Sequence, residues 1–176
     1  MALATPHADE FHPFYAGYIA RVANVLSPGD ELVAQRTRLL GFLSPLSDER
    51  ALHRYAPNKW SVKEMVGHLA DAERIQAYRM LCIGRGDTTP LPGFEEDDYV
   101  RAAGSDARPF AELLRDWNAA RESTIAIVQG MPEEAWERRG TANDATVSAR
   151  AIAYIILGHV EHHLAVLQAR YGLAAR

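Results

Sequence analysis

Residues 154–172, YIILGHVEHHLAVLQARYG, decide how the chain reads. His159, His162 and His163 crowd a segment that is otherwise apolar and shows no strand-like alternation. Projected at about 100° per residue from Ile152, Ile156 falls at about 40°, His159 at about 340°, His163 at about 20° and Leu167 at about 60°. His159 and His163 therefore lie in the middle of a core-facing stripe. His162, at about 280°, marks its rim, and Glu161, at about 180°, points away. Two imidazoles at i, i+4 stack one helical turn apart, the spacing at which both reach a single metal ion. The plainer reading, a pair of hydrogen-bonded core histidines, stays open at this point, because every buried imidazole needs a polar partner of some kind.

Working outward, Gly172 stops this helix and TVSARAIA opens it. Three more long amphipathic helices precede it. PGDELVAQRTRLLGFLSPL opens on Pro28 and Gly29, which precede Asp30 as the expected cap, carries Leu32, Val33, Leu39, Leu40 and Leu43 as its stripe, and ends before Pro45. NKWSVKEMVGHLADAERIQAYRMLCIGRG has a capping box in Ser61 and Glu64 and a staple spacing in Trp60 and Met65. PFAELLRDWNAARESTIAIVQGM has Leu113, Leu114, Trp117, Ile125 and Val128 as its inner face. Short helices are expected in SDERALHRY and EEDDYVRAAG. DTTPLPGF reads as a loop that crosses the bundle or covers a site, and PEEAWERRGTANDA as a plain connection. The fold expected is all-α: a four-helix bundle with short extra helices over residues 14–176, after an N-terminal arm, residues 1–13.

Composition narrows the function. Nineteen basic against 23 acidic residues give a net charge of −4 without any basic run, which argues against nucleic acid as a partner. One cysteine, Cys82, excludes a disulfide framework and any CxxC site; it reads as packing and fits a reducing compartment. There is no secretory leader pattern and no 18-residue apolar run, so a cytoplasmic protein with no membrane partner is expected.

A third ligand has to come from another helix. His68, at about 240° against an apolar face centred at about 320° on its own helix, lies at the edge of that face and can reach across a bundle. His7, His12 and His53 read as ordinary surface or structural residues. Neither HExxH nor Glu-x-x-His occurs, which removes the zinc-protease and carboxylate-bridged di-iron arrangements. Glu73, at about 20°, is the inward carboxylate of its helix. It reads as a base, as a group orienting a histidine N–H, or as half of a salt bridge to Arg79 or Arg150. Glu95 to Asp98 suit an exposed helix start better than a hard-cation site. Arg139, Asn143 and Ser148 are candidates for recognising a substrate.

KWSVKEMVGHLADAERIQAYRM, RGDTTPLPGF, RRGTAN and AYIILGHVEHHLAVLQARYG together resemble the DinB superfamily, in particular its YfiT-like branch, over residues 14–172. The resemblance implies an up-down-down-up four-helix bundle and a divalent metal held by three histidines. Nickel or zinc is the first choice, with iron or manganese possible. By motif those ligands are His68, His159 and His163, with His162 outside the set. It also implies chemistry on small molecules. One branch is transfer of a low-molecular-weight thiol such as bacillithiol, mycothiol or glutathione onto an electrophile, with Glu73 or His162 moving protons and the loop from Pro90 to Phe94 shaping the substrate mouth. The other is hydrolysis by metal-activated water. A non-catalytic metal-binding module is the third reading, and a homodimer is in keeping with the family.

Overall fold

In the computed structural model, which describes residues 3–173, the chain begins with two single-turn 3-10 helices, Ala8–Glu10 and Pro13–Tyr15. They lead into α1 (Ala16–Arg21), α2 (Pro28–Leu43), α3 (Asp48–Ala51), α4 (Val62–Gly84), α5 (Glu96–Ala103) and α6 (Phe110–Gln129). A hairpin, β1 (Arg139–Ala142) and β2 (Ala145–Ser148), precedes α7 (Ala149–Tyr171). The four long helices form over the apolar stripes read from the sequence, except that Val33 of α2 is 40% exposed. At α4, Ser61 accepts from the Glu64 N–H while Glu64 accepts from the Ser61 N–H, which is the expected capping box. At α2 the cap is Ser27, not Asp30. Pro28 takes the first helical position, where its missing N–H is no loss, and Asp30 and Glu31 fall in the first turn beside the positive end of the helix dipole.

Side-chain contacts give the directions. Along α4 and α6, Arg74 bonds Asp116, Glu73 bonds Arg121, and Gly84 abuts Met131, so these two helices run parallel. Against α7, α4 is antiparallel: Tyr171 donates to the Trp60 carbonyl and His68 meets His159. α2 runs parallel to α7, through Gln35 with Leu157 and Arg38 with Glu161, and antiparallel to α6, through Gly29 with Val128 and Arg36 with Glu122. The order is up-down-down-up. Each of α2 and α4 packs against both α6 and α7, so α2 and α4 face each other across the diagonal.

A buried polar chain ties all four helices at mid-height. Arg121 of α6, wholly buried, donates through Nε and Nη2 to both Glu73 oxygens of α4, at 2.8 Å each. Its Nη1 donates to the Gln35 side-chain oxygen of α2, also at 2.8 Å. Gln35 in turn donates to the Leu157 carbonyl and to Glu161 of α7. Glu161 therefore faces α2, where Arg38 also reaches it, instead of pointing to solvent. The Glu73 partner is Arg121, neither Arg79 nor Arg150.

The all-α expectation holds except at RGTANDATVS. Here a two-residue turn at Asn143 and Asp144, φ 52° and 57°, joins strands paired from Arg139 with Ser148 to Ala142 with Ala145. Both central residues at positive φ match the right-handed twist of the strands, and Asn and Asp tolerate that conformation. Consequently α7 starts at Ala149 with Ser148 as its cap, three residues later than TVSARAIA suggests.

The N-terminal residues are built into the bundle. Glu10 is buried, accepting from the Ser148 hydroxyl and the Arg150 guanidinium. Burial pushes its carboxyl up, but those hydrogen bonds prevail and hold it at about 2. Tyr154 donates to the Leu3 and Val25 carbonyls. α1 lies directly on α7 at Gly158, where a Cβ would fall inside contact distance of the Tyr18 backbone. No helix among the described residues is long and apolar enough to cross a membrane.

Candidate metal centre

His68 from α4 and His159 and His163 from α7 converge. The Nε2 of His159 lies 3.0 Å from the Nε2 of His68 and 3.0 Å from that of His163. The three ligand atoms lie within 4.8 Å of one another. Antiparallel packing of α4 on α7 brings the edge-facing His68 onto the stripe of His159 and His163. Trp60, just before α4, closes one side: its ring sits 4.7 Å from that of His68 and stacks at 6.3 Å on that of His163, while its indole N–H donates to Asp97. It is a wall of the site.

Burial pulls the His68 imidazole down to about 4. Burial, with the neighbouring rings adding to it, holds His159 and His163 well below the ordinary imidazole range. At neutral pH all three rings are therefore neutral, and each has one lone pair and one proton to place. Three neutral ring nitrogens turned toward a common point make a poor hydrogen-bonded cluster, since lone pairs at this separation repel unless something positive lies between them. The set fits a borderline divalent ion, and three protein ligands leave positions for a substrate or water.

A cavity of about 410 Å³ opens on this cluster. His68, His159 and Glu73 lie in its wall, with Ile155 and Ile156 of α7 as apolar lining. Tyr18 of α1 brings its ring to 5.4 Å from His159 and 5.3 Å from His162. From the other side come Phe94, Glu95 and Glu96, and from the hairpin turn Asn143. Loop and hairpin are laced together: Leu91 N–H donates to the Thr141 carbonyl and Asn143 N–H to the Leu91 carbonyl. Gly93 leaves space for the Asn143 side chain, which a Cβ there would strike.

Residues 31–167 match the family profile of the DinB superfamily. The chain belongs to the DinB superfamily. Over 130 residues this DinB domain is 22% identical to an Oceanobacillus iheyensis protein named as a candidate metal-dependent hydrolase, covering 73% of the present chain and 74% of that one. Its fold is that of YfiT from Bacillus subtilis, described as a candidate metal-dependent hydrolase with an unusual four-helix bundle topology. The TM-score is 0.71 at 17% identity, over 84% of this chain and 87% of YfiT. A mycothiol-dependent maleylpyruvate isomerase shares the fold at TM-score 0.66 and 15% identity, over 85% of this chain and 62% of the isomerase.

Of the other residues singled out from sequence, Glu73 reaches the cavity with both oxygens committed to Arg121. His162 sits half-buried against Tyr18 and is not part of the cavity lining; its ring stands 5.1 Å from that of His163. Asn143 lines the cavity. Arg139 does not, because it pairs with Asp9, and Ser148 is taken up by the α7 cap and Glu10. Glu95 to Asp98 form the exposed start of α5 as expected, yet Glu95 and Glu96 also face the cavity. His12, read as ordinary, lies in the cavity wall too. Cys82 packs against the core at the far end of α4.

The histidine shifts give a pH prediction for the metal-free protein. In the unfolded chain His68 takes a proton as the pH falls through about 6.5, whereas the folded protein excludes it until about 4. Stability is therefore fully present above pH 6.5 and lost as the pH drops toward 4. His68 alone accounts for about 3 kcal/mol of that loss, and His159 and His163 add in the same direction. Urea titrations with chelator at pH 7.5, 6.0 and 5.0 check it. A midpoint that holds steady across that range contradicts the burial of neutral rings.

Proposed function

We propose that this DinB protein is a divalent-metal-dependent transferase that moves a low-molecular-weight thiol onto an electrophile, with His68, His159 and His163 holding the ion. The observation that carries the proposal is the open cavity of about 410 Å³ at the convergent ring nitrogens, which has room for the polar body of a small thiol. Bound there, a divalent ion supplies a Lewis acid that favours thiolate over thiol at neutral pH. The chain's own residues do the rest. Tyr18, Gln76 and Asn143 present polar atoms to the thiol's body, and Ile155, Ile156 and Phe94 exclude water from the electrophile's side. Glu73, held at both oxygens by Arg121, serves to position the α4 face and not as a mobile base.

Hydrolysis is the second reading, and Glu96 is what favours it. It lines the same cavity, and partial desolvation there, with Asp97 and Glu95 adding repulsion, raises its carboxyl, the direction that favours a proton-exchanging group.

Elemental analysis of the purified protein and of His159→Ala tests the shared premise. About one divalent ion per chain is expected in the wild type, with nickel or zinc the first candidates, and a loss of at least about tenfold in the variant, since three ligands become two. Full retention by the variant would sink the site. Assaying bacillithiol, mycothiol and glutathione with an electrophilic acceptor, beside a panel of esters and amides, then separates the two readings. Turnover of the esters alone overturns the transferase.

A further inference from the structure

Histidines aside, the described residues bury five charged side chains: Glu10, Lys63, Glu73, Arg79 and Arg121. Glu10 has Arg150, Lys63 has Asp48, and Glu73 and Arg121 have each other. Arg79, only 3% exposed, has no acidic partner among the described residues. Its Nη2 donates to the Pro92 carbonyl at 2.5 Å, and the Tyr15 phenol stands beside it. A carbonyl dipole and a phenol satisfy N–H groups without neutralising a full charge, and a guanidinium keeps its charge at any physiological pH. The three paired sites in the same protein show how it otherwise handles a buried charge.

Arg79 lines a pocket of about 280 Å³ under the loop from Leu91 to Phe94. Phe94 is shared between this pocket and the cavity at the histidines, and Tyr15, beside Arg79, also lines that cavity. The other arginine in the pocket, Arg74, is already engaged by Asp71 and Asp116. A single uncompensated positive charge on a planar fork, in a small pocket, matches a monovalent planar anion better than a phosphate.

We infer that Arg79 anchors a carboxylate-binding subsite, which takes the carboxylate end of a substrate whose reacting end lies at the histidines. Its part in substrate recognition rests on the function proposed above; the anion site itself does not.

Calorimetric titration of the metal-loaded protein with propionate, 3-mercaptopropionate, 2-mercaptoethanol and inorganic phosphate tests it, on the wild type, Arg79→Lys and Arg79→Gln. Propionate and 3-mercaptopropionate are expected to bind the wild type saturably, and Arg79→Gln to weaken both by at least about tenfold, the worth of a charge-assisted hydrogen bond. Binding of 2-mercaptoethanol and the metal content should stay unchanged. Should Arg79→Gln fail to fold, Arg79→Lys keeps the charge and loses the fork, and must weaken 3-mercaptopropionate relative to 2-mercaptoethanol. Equal propionate binding in wild type and Arg79→Gln, whatever the variant's melting temperature, overturns the inference, as does binding of phosphate but no carboxylate. Propionate bound as tightly as 3-mercaptopropionate, with 2-mercaptoethanol ignored, leaves the anion site standing and removes the thiol function; 2-mercaptoethanol bound with propionate ignored does the reverse.

Discussion

Arg121→Met is expected to destabilise the protein by about 3–5 kcal/mol, because it strands the Glu73 carboxylate in the centre of the bundle without its counter-charge. The loss also frees the Gln35 oxygen that Arg121 engages, and unties α6 from α2 and α4 together. Removing both charges is a different case. A buried ion pair replaced by apolar side chains of similar size is commonly neutral, since the desolvation of two ions disappears with them. Glu73→Leu/Arg121→Met should therefore recover most of the stability lost by Arg121→Met alone. Urea unfolding of four proteins, the wild type, Glu73→Leu, Arg121→Met and the double variant, reads this directly as a double-mutant cycle. If Arg121→Met falls within 1 kcal/mol of the wild type by that measure, against the roughly 3 expected, the buried pair is not the tie described.

The second large effect concerns Gly158. In an ordinary helix interior, glycine to alanine stabilises by up to about 1 kcal/mol. Here the sign should reverse. Any Cβ at residue 158 runs into the backbone of Tyr18, which cannot rotate away as a side chain could, so α1 must lift off α7. An overpacking cost of about 1–3 kcal/mol is expected for Gly158→Ala. Tyr18 would leave its place over His159 at the same time. Thermal melting gives the sign, and limited proteolysis near Arg21 reports whether α1 has detached. A variant that melts higher than the wild type and resists the protease shows that α1 does not need the glycine.

Much of this molecule is visible in local pattern. The i, i+4 spacing of His159 and His163 within an apolar stripe, the Ser61 and Glu64 box and the stop at Gly172 are relations within one helix, and helix geometry is the same wherever the helix sits. Arg121 was within reach of the same reasoning: it lies four residues after Trp117 and four before Ile125, on the inner stripe of α6, and only its charge argues for the surface. The hairpin carried a signal too, in Asn143 and Asp144 between two short runs, but an Asn-Asp pair is a weaker turn mark than Asn-Gly. Trp60 and His12 had none. A tryptophan at a staple position and an arm histidine look alike whether they stand against a site or face solvent.

The sequence alone determined the four long helices, which of their faces turn inward, and two of the three converging histidines on α7. Each of these depends on neighbours within two helical turns. The tertiary structure decided what those faces meet. His68 comes to His159 because α4 runs antiparallel to α7, Glu73 is held by an arginine 48 positions away, and the cavity takes its walls from α1, the 91–96 segment and the hairpin turn. Such pairings depend on the order and direction in which helices pack, which amphipathic periodicity leaves open: an apolar stripe sets that a helix must be covered, and only the assembled bundle sets by what.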